Sequence, residues 1–213
     1  MRYNLSHIRR EYAQRSLSKN DVDKNPFRQL ERWLDEAVHA EAYEPTAMIL
    51  STSDAKGRVT SRTVLLKEMK TEGLVFYTNC NSLKGRQLKE NPFVSALFYW
   101  AELESQVRLE GVTEKVPPEE SDRYFESRPE TSRIGTWASD QSTEIPDRKY
   151  LEQRQQEYSE YFRNKKIERP PHWGGYLIRP TRFEFWQGRE NRLHDRIEYS
   201  LEEKKWVLRR LAP

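Results

Sequence analysis

The strongest constraint on the fold is a two-residue apolar period that begins near Thr46 and recurs in short segments to the end of the chain. Successive side chains of a strand point to opposite faces, so each such segment predicts a strand. The predicted strands are 47–52, 59–67, 74–78, 93–100, 106–115, 176–179, 182–187, 192–200 and 205–211. These strands, joined mostly by hairpins and interrupted by helices, predict a mainly β fold: an antiparallel, incompletely closed barrel with peripheral helices.

Helical segments interrupt this pattern at positions with recognisable start and stop signals. Asn25-Pro26 predicts a helix start, because asparagine caps helices and proline suits the first helical position. The predicted helices run from there to about Ala42, from Ser82 to just before Asn91, over 119–128 and over 149–163. Residues 1–24 lack a sustained apolar face and are predicted to form an arm, which leaves 25–213 as a single domain.

The amino-acid composition limits the classes of function that this chain can have. Hydrophobic residues make up only 35% of the 213 residues, which is typical of a protomer that buries apolar area against a partner. The net charge of +3 comes from interspersed signs, so a nucleic-acid-binding surface is not indicated. A single cysteine, Cys80, excludes an intramolecular disulfide and suits a reducing compartment. With a polar start and no apolar run of about 20 residues, the chain is predicted to be cytoplasmic with no membrane span.

The stretch FEFWQGRENRLHDR, at 183–196, concentrates candidate ligand-binding side chains. It is predicted to be a strand ending at Trp186, then a turn and a return strand. Alternation places Arg192, His194 and Arg196 on one face of the return strand, beside Trp186. Three groups that are or can be cationic, next to an indole ring, suit an anionic, flat, aromatic ligand. The alternative is a solvated outer face of a barrel strand.

Other cations occupy positions that suit anion binding. Arg62 and Lys67 lie five residues apart and would face opposite sides of an unbroken strand. Either a bulge separates them or each contacts a different part of a site; as an alternative, both are surface cations. Lys84 lies at a helix start, where backbone N–H groups favour an anion. Tyr124 and Arg128, four apart on a predicted helix, share a face. There is no Gly-rich strand–turn–helix loop, so a Rossmann or P-loop nucleotide site is not indicated.

Together these motifs resemble the pyridoxine (pyridoxamine) 5′-phosphate oxidase family. The resemblance runs from about Ile8 to Pro213 and is carried by RTVLLK at 62–67, FYTN at 76–79, FWQG at 185–188, RLHDR at 192–196 and RLAP at 210–213. It implies a split barrel of the FMN-binding type, with FMN at the interface of a homodimer. It also implies oxidation of pyridoxamine 5′-phosphate and pyridoxine 5′-phosphate to pyridoxal 5′-phosphate, with oxygen as electron acceptor and hydrogen peroxide as product.

The resemblance also implies roles for individual residues. The implied flavin contacts are Arg62, Thr63, Val64, Leu65, Leu66, Lys67, Tyr77, Thr78, Lys84, Gln106, Gln141, Ser142, Trp186 and Arg196. The implied substrate contacts are Arg9, Arg10, Glu11, Tyr12, Lys67, Tyr124, Arg128, Ser132, Arg192, Leu193 and His194. The family often has Arg-Lys where this chain has Leu83-Lys84, which makes Arg86 a candidate replacement for the missing arginine.

Arg192 and His194 are the candidate catalytic residues. Histidine suits proton exchange because its reference pKa lies near neutrality. Arginine does not readily act as a base, so Arg192 is assigned a positioning and electrostatic role. Residues 9–12 are expected to close over the substrate as part of the arm.

Two other functions remain open at this stage. One is a split-barrel flavin protein that reduces a different substrate. The implied phosphate clamp of Tyr124, Arg128 and Ser132 argues against it, because a substrate without phosphate needs no second anion site. The other is a non-enzymatic binding module for acidic partners or RNA, which the even charge distribution disfavours. The four histidines are scattered along the chain, so no metal site is predicted.

Overall fold

The computed structural model describes residues 11–13 and 15–213, and within them the chain is mainly antiparallel β with helices, as predicted. The strands are β1 (Ala47–Ser53), β2 (Val59–Leu65), β3 (Glu68–Lys70), β4 (Gly73–Asn79), β5 (Phe93–Trp100), β6 (Ser105–Lys115), β7 (Trp173–Gln187), β8 (Asp195–Glu202) and β9 (Lys205–Leu211). The α-helices are α1 (Pro26–His39), α2 (Leu83–Glu90), α3 (Pro118–Ser127), α4 (Glu130–Ala138) and α5 (Arg148–Phe162).

The strands follow the order β2-β1-β5-β6-β7-β4-β3, and β8 pairs with both β7 and β9. The pairs β3–β4, β4–β7, β7–β8 and β8–β9 are all antiparallel. The chain divides into two compact units. The first unit comprises Met1–Met48, Ala96–Glu110 and Pro180–Pro213, and the second comprises Ile49–Ser95 and Gly111–Arg179. The predicted boundary between an arm, 1–24, and a domain, 25–213, stays a prediction.

In the first unit, α1 packs its apolar stripe on the aromatic face of β7. Asn25 caps the helix through its side-chain oxygen, which accepts from the Phe27 N–H, and Pro26 occupies the first helical position. The Trp33 ring meets Phe185 edge-on with centroids 5.2 Å apart. Phe27 meets Phe183 in the same way at 5.3 Å. Burying such rings is the main stabilising term that holds the helix in place.

In the second unit, α3, α4 and α5 enclose a core made of Phe125, Ile134, Phe162, Ile167 and Trp173. The smaller helix α2 follows β4 after a tight connection. A side chain at Gly85 would lie 2.3 Å from the carbonyl oxygen of Cys80, so only glycine permits this approach. The connection therefore fixes where the start of α2 lies in this unit.

Three predicted element boundaries were wrong. The segments 176–179 and 182–187 form one strand, β7. Its ladder with β4 ends at Ile178 and its ladder with β8 begins at Arg182, so the missing N–H of Pro180 interrupts neither. The segment 59–67 is broken after Leu65, because the N–H of Lys67 turns to the carbonyl oxygen of Val75.

The third wrong boundary is the start of the return strand, which is Asp195 and not Arg192. Residues Glu190–Arg192 form a 3₁₀ turn in which Asn191 and Arg192 have φ values of 54° and 60°. A left-handed backbone cannot continue a strand. The predicted alternation of Arg192 and His194 on one strand face is therefore wrong. In the described part of the chain, no helix is both long enough and apolar enough to cross a membrane.

Candidate functional site

The second unit contains a cleft of about 400 Å³ with three cations in its lining. That volume lies in the range of small-ligand sites. No carboxylate belongs to the described lining. The lining residues are Thr63, Val64, Leu65, Lys67, Tyr77, Thr78, Asn79, Lys84, Tyr124, Arg128, Ser132, Gly135, Thr136, Ser139, Gln141 and Trp173. A cleft of this charge suits an anionic ligand.

Lys84 is a buried cation whose partners are all neutral. It lies in the first turn of α2, and the residue is only 9% exposed. Its Nζ donates to Gln141 Oε1 at 2.8 Å and to Thr78 Oγ1 at 3.1 Å, with Ser82 Oγ at 3.4 Å. No carboxylate among the described residues forms an ion pair with it. The start of a helix carries a partial positive charge, so the helix dipole does not compensate the charge of the Lys84 ammonium.

The surroundings of Lys84 lower its pKa to about 8, first through burial and second through the nearby charge of Arg62. Burial also lowers the pKa of Arg62. Both effects have one origin, since a charged group loses hydration without gaining an opposite charge. A bound anion would supply the missing opposite charge and so offset the cost of burying both cations.

An aromatic stack forms another part of the cleft. The rings of Tyr77 and Tyr124 stack with centroids 3.9 Å apart, and Tyr77 stacks on Trp173 at 5.4 Å. The Arg128 guanidinium lies 4.9 Å from the centre of the Trp173 ring, and its Nη1 donates to Thr136 Oγ1 at 2.8 Å. Burial is the main cause that raises the pKa of Tyr77 to about 12, so its hydroxyl stays protonated. Tyr124 and Arg128, predicted to share a helix face, both line this cleft.

The break after β2 resolves the spacing problem of Arg62 and Lys67. Arg62 lies within β2, and Lys67 lies beyond the end of that strand. Lys67 lines the cleft, whereas Arg62 lies outside the lining and donates to the Leu50 carbonyl and to the hydroxyls of Thr52 and Thr60. Strand alternation therefore does not limit where the two cations point.

The first unit holds a separate cluster around His194. Its ring lies 4.7 Å from that of Trp186, and Tyr12 meets His194 at 5.8 Å and Trp186 at 5.9 Å, centroid to centroid. Gly188 makes room for Tyr12, because a Cβ there would lie 2.7 Å from the tyrosine ring. Tyr12 thus packs against Trp186 and His194, the two rings predicted to contact a ligand.

The backbone determines the protonation of His194. The N–H of Arg189 points at His194 Nδ1, 3.1 Å away, and an amide N–H can only donate. Nδ1 is therefore the acceptor, and the neutral ring carries its proton on Nε2. Burial, followed by the charge of Arg192, lowers the pKa of His194 below its usual 6.5, while Asp195 acts against them. At neutral pH the ring is an uncharged donor through Nε2.

Arg196 is held by β7. Its Nε and Nη2 donate to the two oxygens of Glu184 at 2.9 and 3.1 Å, and its Nη1 donates to the Ala212 carbonyl at 2.7 Å. Trp186 lies directly opposite Arg196 in the β7–β8 register. Arg192 and Leu193 are exposed.

The structure separates the predicted site residues into two groups. In the second unit, eleven of them line the cleft: Thr63, Val64, Leu65, Lys67, Tyr77, Thr78, Lys84, Tyr124, Arg128, Ser132 and Gln141. Three more in that unit lie outside its lining: Arg62, Leu66, which is buried, and Ser142, which is exposed. The first unit contains Glu11, Tyr12, Gln106, Trp186, Arg192, Leu193, His194 and Arg196. Arg9 and Arg10 lie outside the described residues.

Some lining residues were missed by sequence reasoning. Trp173 lies outside the predicted strands but begins β7, and Thr136 lies on α4, a helix without predicted bounds. The spacing of Thr136 four residues after Ser132 was an available signal for a shared helix face. Arg86, the candidate replacement for the missing arginine, is exposed, donates to the Asn81 carbonyl and does not line the described cleft.

Two family models match the chain. One, described as pyridoxamine 5′-phosphate oxidase, matches residues 34–162, more than half of the chain. The other, described as the pyridoxine 5′-phosphate oxidase C-terminal dimerisation region, matches residues 173–213. The two matches follow each other along the chain. They include every candidate site residue of the second unit and, in the first unit, every described one except Glu11 and Tyr12.

Individual proteins are similar over nearly their whole length. A pyridoxine/pyridoxamine 5′-phosphate oxidase 1 from Ralstonia nicotianae is 52% identical over 210 residues, which cover 98% of this chain and 99% of that protein. A pyridoxine/pyridoxamine 5′-phosphate oxidase from Cyanothece sp. is 48% identical over 213 residues, 100% of both proteins.

Solved structures share the fold. PhzG from Burkholderia lata, in complex with tetrahydrophenazine-1-carboxylic acid, has a TM-score of 0.86 and 32% identity, covering 91% of this chain and 95% of that chain. A pyridoxamine 5′-phosphate oxidase-related, FMN-binding protein from Nostoc punctiforme has a TM-score of 0.66 and 16% identity, covering 93% of this chain and 100% of that one. The predicted fold class is confirmed.

Proposed function

This chain belongs to the pyridoxine/pyridoxamine 5′-phosphate oxidase family, and we propose that it is itself such an oxidase. The proposed reaction converts pyridoxamine 5′-phosphate or pyridoxine 5′-phosphate to pyridoxal 5′-phosphate, with FMN as cofactor. Oxygen is the electron acceptor and hydrogen peroxide the second product. The amine substrate also consumes water and releases ammonia, whereas the alcohol only loses two hydrogens.

The observation that carries the proposal is Lys84, a buried ammonium with only neutral partners. A phosphate group would supply the missing negative charge and accept hydrogen bonds from Lys84, Thr78 and the edge of Arg62. The residues present therefore fit the phosphate of FMN. Bound FMN supplies two-electron oxidation chemistry, which no side chain in this cleft offers.

A second anion fits at the other cations of the same cleft. Arg128 and Lys67 are charged, and Tyr124 and Ser132 carry hydroxyl groups that can donate to phosphate oxygens. Arg128 is braced by Thr136 and by the Trp173 face, which limits its rotamers. We assign this set to the substrate phosphate, as the family resemblance implies. It would hold the substrate by a group remote from the reacting carbon.

Arg192 and His194 are proposed to act at the reacting carbon. His194 is uncharged at neutral pH and presents its Nε2–H, so it can donate a hydrogen bond to a substrate oxygen or nitrogen. Arg192 adds fixed positive charge. Glu11 and Tyr12 remain candidates for the segment that closes over the substrate, with Tyr12 packed on His194.

The test is the visible absorption spectrum of the purified protein before and after anaerobic addition of pyridoxamine 5′-phosphate. We expect flavin bands from one FMN per chain and their bleaching on addition of substrate. Arg128→Ala and Tyr124→Phe should raise the substrate concentration for half-maximal bleaching, by about tenfold or more for Arg128→Ala. Arg123→Ala, an exposed change on the same helix, serves as the control. A protein that binds no flavin, or whose bound flavin the substrate does not reduce, would overturn the proposal.

A further inference from the structure

The guanidinium of Arg62 is held by neutral oxygen atoms on three sides. Its Nη1 donates to the Leu50 carbonyl at 3.1 Å and to Thr52 Oγ1 at 2.7 Å. Its Nη2 donates to Thr60 Oγ1. Among the described residues, none accepts from Nε. Arg62 therefore has one end fully bonded and one edge free.

The side-chain amide of Gln87 completes this network by accepting hydrogen bonds from both threonines. Its Oε1 accepts from Thr52 Oγ1 at 2.6 Å and from Thr60 Oγ1 at 2.8 Å. The direction of each bond follows from chemistry. A guanidinium can only donate, so each hydroxyl accepts from Arg62 and must pass its own proton to another acceptor. One amide oxygen of Gln87 serves both threonines.

The network is buried at Thr52 and Gln87, half-buried at Thr60 and Arg62, and connects three elements. Thr52 on β1 is 1% exposed and Gln87 on α2 is 4% exposed, while Thr60 and Arg62 come from β2. Gln87 lies three residues after Lys84 on α2, so the two side chains share a helix face. The orientation of Arg62 is thereby tied to the same helix that carries Lys84.

These hydrogen bonds leave the Nε side of the Arg62 guanidinium available to a ligand. Nε–H and the second Nη2–H of a guanidinium are parallel and match two oxygens of one phosphate group. Without the threonines, the flexible arginine could turn this edge away, and ordering it would then oppose binding. Holding an arginine by neutral acceptors also preserves its charge, which a carboxylate would cancel.

We infer that Gln87, Thr52 and Thr60 are positioning residues that present the Nε edge of Arg62 to the phosphate of a ligand bound at Lys84. This inference rests on the proposed function, which makes that ligand FMN. The three residues do not touch the ligand, and they act only through Arg62. Nothing in the sequence motifs marks them as a set, because they are brought together only by the fold.

The experiment compares the affinities of FMN and riboflavin, which lacks the phosphate, for the full chain freed of flavin. Quenching of flavin fluorescence gives both dissociation constants. Thr52→Val and Gln87→Leu should weaken FMN binding by about five- to thirtyfold and leave riboflavin binding unchanged. Thr52→Ser keeps the hydroxyl and should restore FMN affinity. Thr113→Val, which removes another buried hydroxyl bonded to the Pro92 carbonyl, is the matched control and should not change FMN affinity.

A double-mutant comparison separates positioning from general loss of structure. In an Arg62→Ala background, Thr52→Val should cause no further loss of FMN affinity, because the residue through which it acts is gone. Equal losses for FMN and riboflavin, or wild-type FMN affinity in both the Thr52→Val and Gln87→Leu variants, would overturn this inference while leaving the proposed function intact. A wild-type chain that binds no FMN would overturn both.

Discussion

Lys84 shows how a single residue can indicate a ligand class. A buried lysine without a carboxylate is costly, because burial removes hydration from the ammonium and nothing replaces it. In this chain the cost appears as a pKa lowered to about 8. A bound anion would restore the lost interaction, so the unfavourable burial of this charge favours binding of a negatively charged ligand.

Lys84 leads to a pH-dependent prediction. The ammonium form is needed for anion binding, and it is lost as pH rises through the pKa of about 8 in the ligand-free protein. FMN affinity should therefore be constant near pH 7 and fall by about tenfold per unit above pH 8. Phosphate titrates near pH 6 and does not contribute in this range. Lys84→Arg stays charged and should remove the decline, and fluorescence titrations between about pH 7 and 9.5 provide the measurement.

A decline of equal slope in the Lys84→Arg variant would contradict the assignment. Lys84→Ala should weaken FMN binding by about ten- to a hundredfold at pH 7, since charge-assisted hydrogen bonds contribute about 1.5–3 kcal/mol each. An unchanged affinity in this variant would remove Lys84 from the site.

His194 provides a second residue-level prediction, concerning which ring nitrogen is protonated. Its Nδ1 accepts from the Arg189 amide, so nitrogen NMR should show an unprotonated Nδ1 and a protonated Nε2 at pH 7. His39 is an internal control of opposite type: its Nδ1 lies 2.7 Å from the Asp35 carbonyl, which can only accept, so Nδ1 must carry a proton. The same proton pattern for both rings would refute this reading of the backbone contacts.

The role of His194 in the reaction follows from that state. Its lowered pKa makes the uncharged ring the main form at neutral pH, so the reduction rate should not depend on its titration there and should change only at more acidic pH. If the Nε2–H assists proton transfer, His194→Ala should slow anaerobic flavin reduction by about a hundred- to ten-thousandfold. Stopped-flow absorbance at saturating substrate measures this rate. A wild-type rate in the variant would show that His194 is not at the reacting centre.

Among the secondary-structure elements, a carboxylate links three strands of the first unit. Glu184 on β7 accepts from Arg196 on β8 and from Arg108 on β6 at 2.8 Å, and its side chain is 5% exposed. Two guanidiniums converge on one buried carboxylate. Removing it would leave both cations without their shared partner.

We therefore predict different costs for two Glu–Arg pairs of similar geometry. Glu184→Ala should lower the free energy of unfolding by about 1–3 kcal/mol, a range below that of fully buried pairs because both arginines keep some exposure. Glu202 also bonds both terminal nitrogens of an arginine, Arg209, but its own side chain is 47% exposed. Glu202→Ala should therefore leave the unfolding midpoint nearly unchanged, because solvent screens the pair. Urea unfolding measures both, and equal losses would show that burial of Glu184 is unimportant.

For the molecule as a whole, a homodimer is expected. Residues 173–213 match a dimerisation region, and the apolar content is low for a chain of this length. Strand side chains such as Val59 and Phe93 are each 66% exposed in the single chain, which leaves apolar surface available to a partner.

Light scattering should give a mass twice that of one chain, and the dimer should persist on dilution if FMN binds between the protomers, as the family resemblance implies. A monomer that retains bound flavin would contradict both the dimer and the interfacial location of the cofactor.

Local sequence was sufficient to predict most strands and helix starts. Predicted and observed bounds agree within one residue for β1, β4, β5, β6 and β9, because alternation of buried side chains is a local property. Helix starts at Asn25 and Ser82 follow from side chains that cap their own backbone. The family resemblance, too, rests on motifs that can be read without coordinates.

Only the tertiary structure determines which residues far apart in the sequence contact each other. β7 continues through Pro180 because it changes pairing partners there, and β8 starts late because Arg192 adopts a left-handed backbone. The neutral partners of Lys84 and the network behind Arg62 come from separate elements. These features depend on contacts between residues far apart in the chain, which local periodicity does not encode. The sequence therefore identified which side chains are candidates, and the fold determined which of them share a site.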